Sequence, residues 1–177
     1  MQQEMLVASA DVLDGLERIA KEIASREPGS EVAMIGIRRG GEPVAQYLAA
    51  ALGKRTGAIV KLGSVDITLY RDDASTALPS PRIGPSHIPF DLSGARIVLV
   101  DDVLYTGRTI RAALDAILDF GRPRRIELAV VADRGGRELP IQPDYVVAET
   151  PVEADRRVEV QVFADGQFQV VARGEAR

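Results

Sequence analysis

Apolar positions recur every three to four residues through residues 9–27, where Leu13, Leu16, Ile19, Ala20, Ile23 and Ala24 fall on one side. That period predicts an amphipathic helix, capped at its start by Ser9 or Asp11 and ended by Pro28-Gly29. Residues 32–37 form a short unbroken apolar run, the pattern of a strand covered on both faces. A second apolar helix is predicted over about residues 43–52, with Gly53 placed to stop it. Residues 59–70 read as extended, because Val65, Ile67 and Leu69 alternate with Asp66, Thr68 and Tyr70. The clearest buried strand spans residues 96–101 and carries Ile97-Val98-Leu99-Val100. Thr106-Gly107 then opens a helix to about Phe120, closed by Gly121-Arg122-Pro123. Residues 126–132 are another buried strand, 133–143 a loop and 145–148 a short strand. Near the end, Val158, Val160 and Val162 alternate with polar residues, Asp165-Gly166 makes a hairpin turn, and residues 168–171 return.

Strand and helix alternate through the middle of the chain, which predicts parallel strands joined by crossovers. The expected fold class is therefore α/β, an open, mainly parallel twisted sheet flanked by helices. No repeat or linker divides the chain, so residues 1–177 are expected to form one domain. Residues 71–90 interrupt the alternation with Pro79, Pro81, Pro85, Pro89 and Gly84 and no sustained period. A loop of that length within a compact domain is usually functional or mobile.

Composition narrows the chemistry. The 177 residues include no Cys and a single His, His87, which excludes disulfides, thiolate metal sites and a cysteine nucleophile. A net charge of −4 argues against a nucleic-acid-binding surface over the whole molecule. The first residues lack a basic start and an apolar stretch, and no run is long enough to span a membrane, so a cytoplasmic protein is expected.

The most informative stretch is Ile97-Val-Leu-Val-Asp-Asp-Val-Leu-Tyr-Thr-Gly-Arg-Thr109. A buried strand ends in Asp101 and Asp102, and a Thr106-Gly107-Arg108-Thr109 turn opens a helix. Ligands of open α/β sheets bind outside the carboxyl ends of strands. The turn offers backbone N–H groups, hydroxyls and a positive helix end, a combination suited to a phosphate. The two carboxylates would repel that phosphate and fit sugar hydroxyls better. A ribose 5-phosphate meets both demands. The stretch is neither a Walker loop nor a dinucleotide fingerprint, and strand-Asp-Asp-helix by itself could also be simple capping.

Residues 98–109 resemble the phosphoribosyl pyrophosphate (PRPP) signature of the type I phosphoribosyltransferases. Together with Asp66-Ile-Thr-Leu-Tyr-Arg-Asp-Asp73 and Asp133-Arg-Gly-Gly-Arg-Glu-Leu-Pro-Ile141, they are similar to the PyrR family of pyrimidine-operon regulators and uracil phosphoribosyltransferases. The resemblance implies the type I fold with a long mobile lid, and a reaction in which uracil and PRPP give UMP and pyrophosphate with Mg²⁺. It implies that Val103, Leu104, Tyr105, Thr106, Gly107, Arg108 and Thr109 line the PRPP site, with Asp101 and Asp102 on the ribose. Arg38, Arg39 and Gly40 occupy the place of the pyrophosphate loop, where related enzymes have a cis peptide. Asp133 and Arg137 face Mg²⁺ and pyrophosphate, with Asp133 a weak metal ligand, directly or through water. Arg137 could also simply pair with Glu138 or Asp133. Tyr70, Arg71, Asp72 and Asp73 begin the lid, and His87 reads as a surface residue within it. Tyr105 stands where 6-oxopurine phosphoribosyltransferases carry an Asp that helps protonate the base, and a phenol with a reference pKa near ~10 does not replace it.

The resemblance further implies a homodimer or higher homo-oligomer, and control of pyrimidine genes through a leader-mRNA hairpin under UMP or UTP. The chain departs from that pattern. It has Arg39-Gly40-Gly41 for a Thr-Arg-Gly turn, Gly136 for a His, and Pro151-Val152-Glu153 for Pro-Thr-Ser. Its first helix holds Asp11, Asp14, Glu17, Glu22 and Glu27 against Arg18, Lys21 and Arg26, a poor footprint for phosphates. The arginines at 122, 124 and 125 could serve only the preceding helix end. Weak or absent RNA binding is expected, beside an intact transferase site. The alternative is an RNA-binding attenuation regulator whose site only senses nucleotides.

Overall fold

The computed structural model describes residues 3–72 and 85–174. Helix α1 (Ser9–Arg26) buries Leu16, Ile19, Ala20 and Ile23 of the predicted apolar face completely, adds Val12, and leaves the predicted Leu13 and Ala24 partly buried at its edges. Neither predicted cap is used: Ala8 takes the extended cap position and Ser9 is already helical. Asp11 sits in the first turn, where its charge favours the helix dipole. Helix α2 (Gly41–Thr56) runs through Gly53 and stops at Gly57. Gly57 adopts φ 70° and donates its N–H to the Gly53 carbonyl at 2.8 Å. An interior glycine costs a helix only ~1 kcal/mol, whereas a left-handed residue ends it.

Five parallel strands form the main sheet in the order β3-β2-β4-β5-β6. They are β2 (Val32–Ile37), β3 (Lys61–Val65), β4 (Arg96–Leu104), β5 (Arg125–Asp133) and β6 (Tyr145–Glu149). Strand β3 ends at Val65, short of the predicted extended segment. The Asp66 carboxylate accepts the Thr68 N–H at 2.9 Å and turns the chain, leaving Leu69 72% exposed. Alternation alone could not reveal that the turn wins there.

A second, antiparallel sheet has the order β1-β8-β7, with β1 (Gln3–Val7), β7 (Arg156–Val162) and β8 (Phe168–Gly174). The hydrophobic pattern does not predict strand β1. Its side chains are largely exposed, so it lacks a strong alternating signal, and its pairing is to a strand at the far end of the chain.

Successive residues of β4 face opposite cores. Val98 and Val100 pack with α1, α2 and, from the second sheet, Val158, Phe168 and Val170. Ile97 and Leu99 pack with helix α3 (Arg108–Leu118) through Ile110, Ala113 and Ile117. Burial on both faces explains the unbroken apolar runs. It also leaves the carboxyl ends of β2, β4 and β5 side by side, each followed by one of the motifs singled out above. The opposite ends of β4 and β5 hold a buried ion pair, Arg96 with Glu127, at 2.9 Å.

Candidate active site

Strand β4 continues past Asp101 to Leu104, held by β5 as far as the Leu104–Asp133 pairing. The two carboxylates therefore sit on a strand rather than in a loop. Asp101 is 5% exposed, and burial together with the neighbouring Asp102 charge holds its carboxyl well above the usual range. Its Oδ1 accepts the Asp102 N–H at 2.9 Å, and Asp102 Oδ1 accepts the Val103 N–H at 2.8 Å.

Gly40 and Gly41 bring the loop after β2 against this pair. A Cβ on Gly40 would run into the Asp102 carboxylate, and one on Gly41 into the Val100 carbonyl. The Arg38–Arg39 peptide is cis. Arg38 donates from Nε to Glu42 at 3.2 Å and from Nη1 to the Pro85 carbonyl at 3.1 Å. Arg39 is exposed, and no hydrogen bond or ion pair ties it down among the described residues.

Gly107 takes φ 92°, a conformation open to glycine, and α3 begins at Arg108. Thr106 Oγ1 accepts the Arg108 N–H at 3.3 Å, and the Thr106 carbonyl accepts the Glu138 N–H at 2.9 Å. A cavity of about 400 Å³ opens here, lined by residues 103–110 with Arg71, Asp72 and Glu138. Arg108 divides its guanidinium between Glu138 and Asp72, each at 2.6 Å.

At the end of β5, Arg137 clasps both oxygens of Asp133, at 2.9 and 2.6 Å. It also donates to the Tyr105 carbonyl at 3.0 Å and the Ile141 carbonyl at 2.7 Å. Burial raises the Asp133 carboxyl, but Arg137 and the Gly135 N–H outweigh it and leave it below the usual range. Of the two partners open to Arg137, the structure selects Asp133, while Glu138 goes to Arg108. The carboxylate expected to serve Mg²⁺ is thus already occupied by a guanidinium. Among the described residues no group of three or more His, Asp or Glu side chains is arranged for a metal.

The segment opening the expected lid is anchored to α3. The Tyr70 hydroxyl bonds Asp119, the Tyr70 carbonyl accepts from Arg111 at 2.6 Å, and Asp72 meets Arg108. Asp73 and most of the expected lid lie outside the described residues. His87 exchanges two backbone hydrogen bonds with Ser64, both 2.8 Å, and so adds a bridge to β3. Sequence reasoning missed Glu42, Arg134 and the partner of Glu138. Their only signal was proximity to motif residues, since each acts through a contact made in space.

The phosphoribosyl transferase domain model matches residues 2–165. A "Bifunctional protein PyrR" of Roseiflexus sp. (strain RS-1) is 51% identical over 174 residues, 95% of each chain. The chain belongs to the PyrR family. A PyrR protein of Chloroflexus aurantiacus is 48% identical and covers 99% of each chain. Among solved structures, Trypanosoma cruzi hypoxanthine phosphoribosyltransferase superposes with a TM-score of 0.68 at 18% identity, covering 97% of each chain. A hypoxanthine-guanine phosphoribosyltransferase of Bacillus anthracis gives 0.65 at 18%, covering 84% of each. These structures establish the type I phosphoribosyltransferase fold, and the PyrR-family chain carries its motifs at the carboxyl ends of β2, β4 and β5. No described helix is long and apolar enough to cross a membrane.

Proposed function

We propose that this site transfers the phosphoribosyl group of PRPP to uracil, giving UMP and pyrophosphate. The observation that carries the reading is the meeting of Gly40 with the Asp102 carboxylate, one motif away from the Thr106–Thr109 turn. That meeting brings a glycine- and arginine-bearing loop against the two carboxylates, and the cavity at the 106–109 turn lies just beyond them on the same chain segment. The turn of residues 106–109 holds the 5-phosphate, and Asp101 and Asp102 hold the ribose hydroxyls. Arg39, exposed and unpaired among the described residues, takes the pyrophosphate with Arg38. The bond from C1 of the ribose to the pyrophosphate oxygen breaks with its electron pair going to pyrophosphate, a bond to uracil N1 forms, and the N1 proton passes to solvent. Positive charge developing on the ribose in between is stabilised by the two carboxylates.

The donor set among the described residues fits a Mg²⁺ ion that would arrive with the pyrophosphate and its own waters better than a resident ion in a protein cage. When bound, such an ion would supply neutralisation of charge on the leaving pyrophosphate. Asp133 serves by fixing Arg137, which in turn ties the Tyr105 carbonyl to the loop after β5.

That the PyrR relatives are named bifunctional supports a second reading in which the chain also binds a pyrimidine leader RNA under control of UMP or UTP. Several of the basic groups available for it are engaged elsewhere. Arg124 pairs with Glu27 at 2.5 Å, Arg125 with Glu127 at 3.1 Å, and Arg18 with Glu22 at 3.0 Å. Incubation with uracil, PRPP and Mg²⁺ tests the first reading: UMP is expected, and its absence sinks the enzyme. Titration with a leader hairpin tests the second: weak binding is expected, and submicromolar, UMP-stimulated binding at physiological salt would establish the regulator.

A further inference from the structure

The sheet order sets the sides of the site. Strand β2, with the Arg38–Gly40 loop, lies on one side of β4, and β5 lies on the other. If pyrophosphate leaves toward the β2 loop, the incoming base must approach from the β5 side. The described side chains there include an unusual assembly. The Tyr105 ring, 43% exposed, lies over the Arg134 guanidinium with its centroid 3.9 Å from Cζ. Arg134 donates from Nη2 to the Glu153 and Ala154 carbonyls, each at 3.3 Å, in the loop between β6 and β7. Its Nε is buried without a hydrogen-bond acceptor. The negative face of an aromatic ring is the compensation available to such a group. Gly136 leaves the room for the ring: a Cβ there would stand 2.6 Å from Tyr105 Cε2, and its φ of 76° already disfavours a side chain. The Tyr105 backbone is fixed separately by Arg137, at 3.0 Å from the carbonyl.

We infer that Arg134 is a positioning residue for the nucleobase: it holds the Tyr105 ring as a fixed wall on the β5 side of the site and links that wall to the β6–β7 loop. The inference rests on the proposed transferase reading. An unheld tyrosine ring rotates and must be ordered when a base arrives, which weakens base binding without touching the phosphate cradle. The expected loss is about tenfold in affinity for a base-bearing ligand, the scale of one base–aromatic contact.

The test titrates UMP and ribose 5-phosphate into the wild type and the variants Arg134→Met, Tyr105→Ala, both together, and Arg134→Lys, with melting temperatures alongside. UMP affinity is expected to fall about tenfold in each of the first two. The double variant should lose no more than either single one, because both break the same unit. Ribose 5-phosphate should bind Arg134→Met and Arg134→Lys within about twofold of the wild type, and Arg134→Lys should recover part of the UMP affinity. Equal losses for both ligands in Arg134→Met, or losses that add in the double variant, overturn the inference. A variant that melts with the wild type yet keeps full UMP affinity overturns it as well. Failure of the wild type to form UMP from uracil and PRPP, with this binding pattern intact, would strike the transferase reading and leave the Arg134–Tyr105 wall standing.

Discussion

Replacing Glu127 by Gln removes one charge from the least accessible ion pair described in the molecule. Arg96 and Glu127 side chains are each 1% exposed and meet at 2.9 Å. Arg96 also donates to the Ser30 hydroxyl at 3.2 Å and the Ile23 carbonyl at 3.2 Å. Glu127 accepts from Arg26 at 3.0 Å and Arg125 at 3.1 Å, but those arginines are 35% and 46% exposed, so water screens them. The cost is therefore set by Arg96, left charged and buried without a counter-ion, about 3–5 kcal/mol. Its two remaining hydrogen bonds and the new amide carbonyl favour the lower end. A loss of about 3 kcal/mol in a chain of this size lowers the melting temperature by roughly 6–12 °C. Calorimetric melts, with urea titrations for the free energy, read it directly. Removing both charges in Arg96→Met/Glu127→Leu should recover most of the loss, because a dry apolar pair needs no compensation. A Glu127→Gln variant melting within about 2 °C of the wild type would refute the reasoning. So would a double variant that melts as low as the single one.

The pair lies at the amino ends of β4 and β5, away from the motifs, so turnover by the folded variant should stay near wild type; a simple UMP assay at low temperature checks it. Asp101→Asn is expected to raise the melting temperature while slowing turnover sharply. The raised Asp101 carboxyl favours folding below the usual carboxylate range and loses that advantage as pH climbs through its folded value. Wild type and Asp101→Asn should accordingly converge in stability as pH falls, and parallel melting-temperature curves across pH would count against a strained carboxylate. The opposite sign holds for Asp133: its lowered carboxyl stabilises the fold above ~4, and that contribution disappears as pH drops through the folded value. Asp133→Asn should flatten the acid limb of the melting curve. Gly40→Ala should cut kcat/KM at least tenfold, about 1.4 kcal/mol, by pushing a methyl group into the Asp102 carboxylate. Unchanged kinetics in a folded Gly40→Ala would mean that the two loops do not meet during turnover.

Much of the site was legible because its parts are local. The Asp101-Asp102 pair, the Thr106–Thr109 turn and the Arg38–Gly41 loop each directly follow or end an apolar run, and such runs announce buried parallel strands. Arg137 with Asp133 was also within reach, since the two are four residues apart. Beyond reach were Arg108 with Glu138 and Asp72, separated by 30 and 36 residues, and Arg134 beneath Tyr105. Nothing in the residue types there selects one partner from several of equal charge.

The same division runs through the fold. Apolar period and turn chemistry determined α1, β2, β4, β5 and the order of the motifs, since a strand buried on both faces and a helix buried on one leave different repeats in the chain. The PyrR resemblance then supplied the chemistry expected of those motifs. The stop of α2 at Gly57 rather than Gly53, and the Asp66 turn that ends β3, are local choices between competing signals in the chain. Tertiary structure alone decided that β1 joins β8. It also decided that Gly40 lies against Asp102. These outcomes depend on which distant surfaces meet, and the free energy of a contact across a hundred residues is not written in either of its two ends.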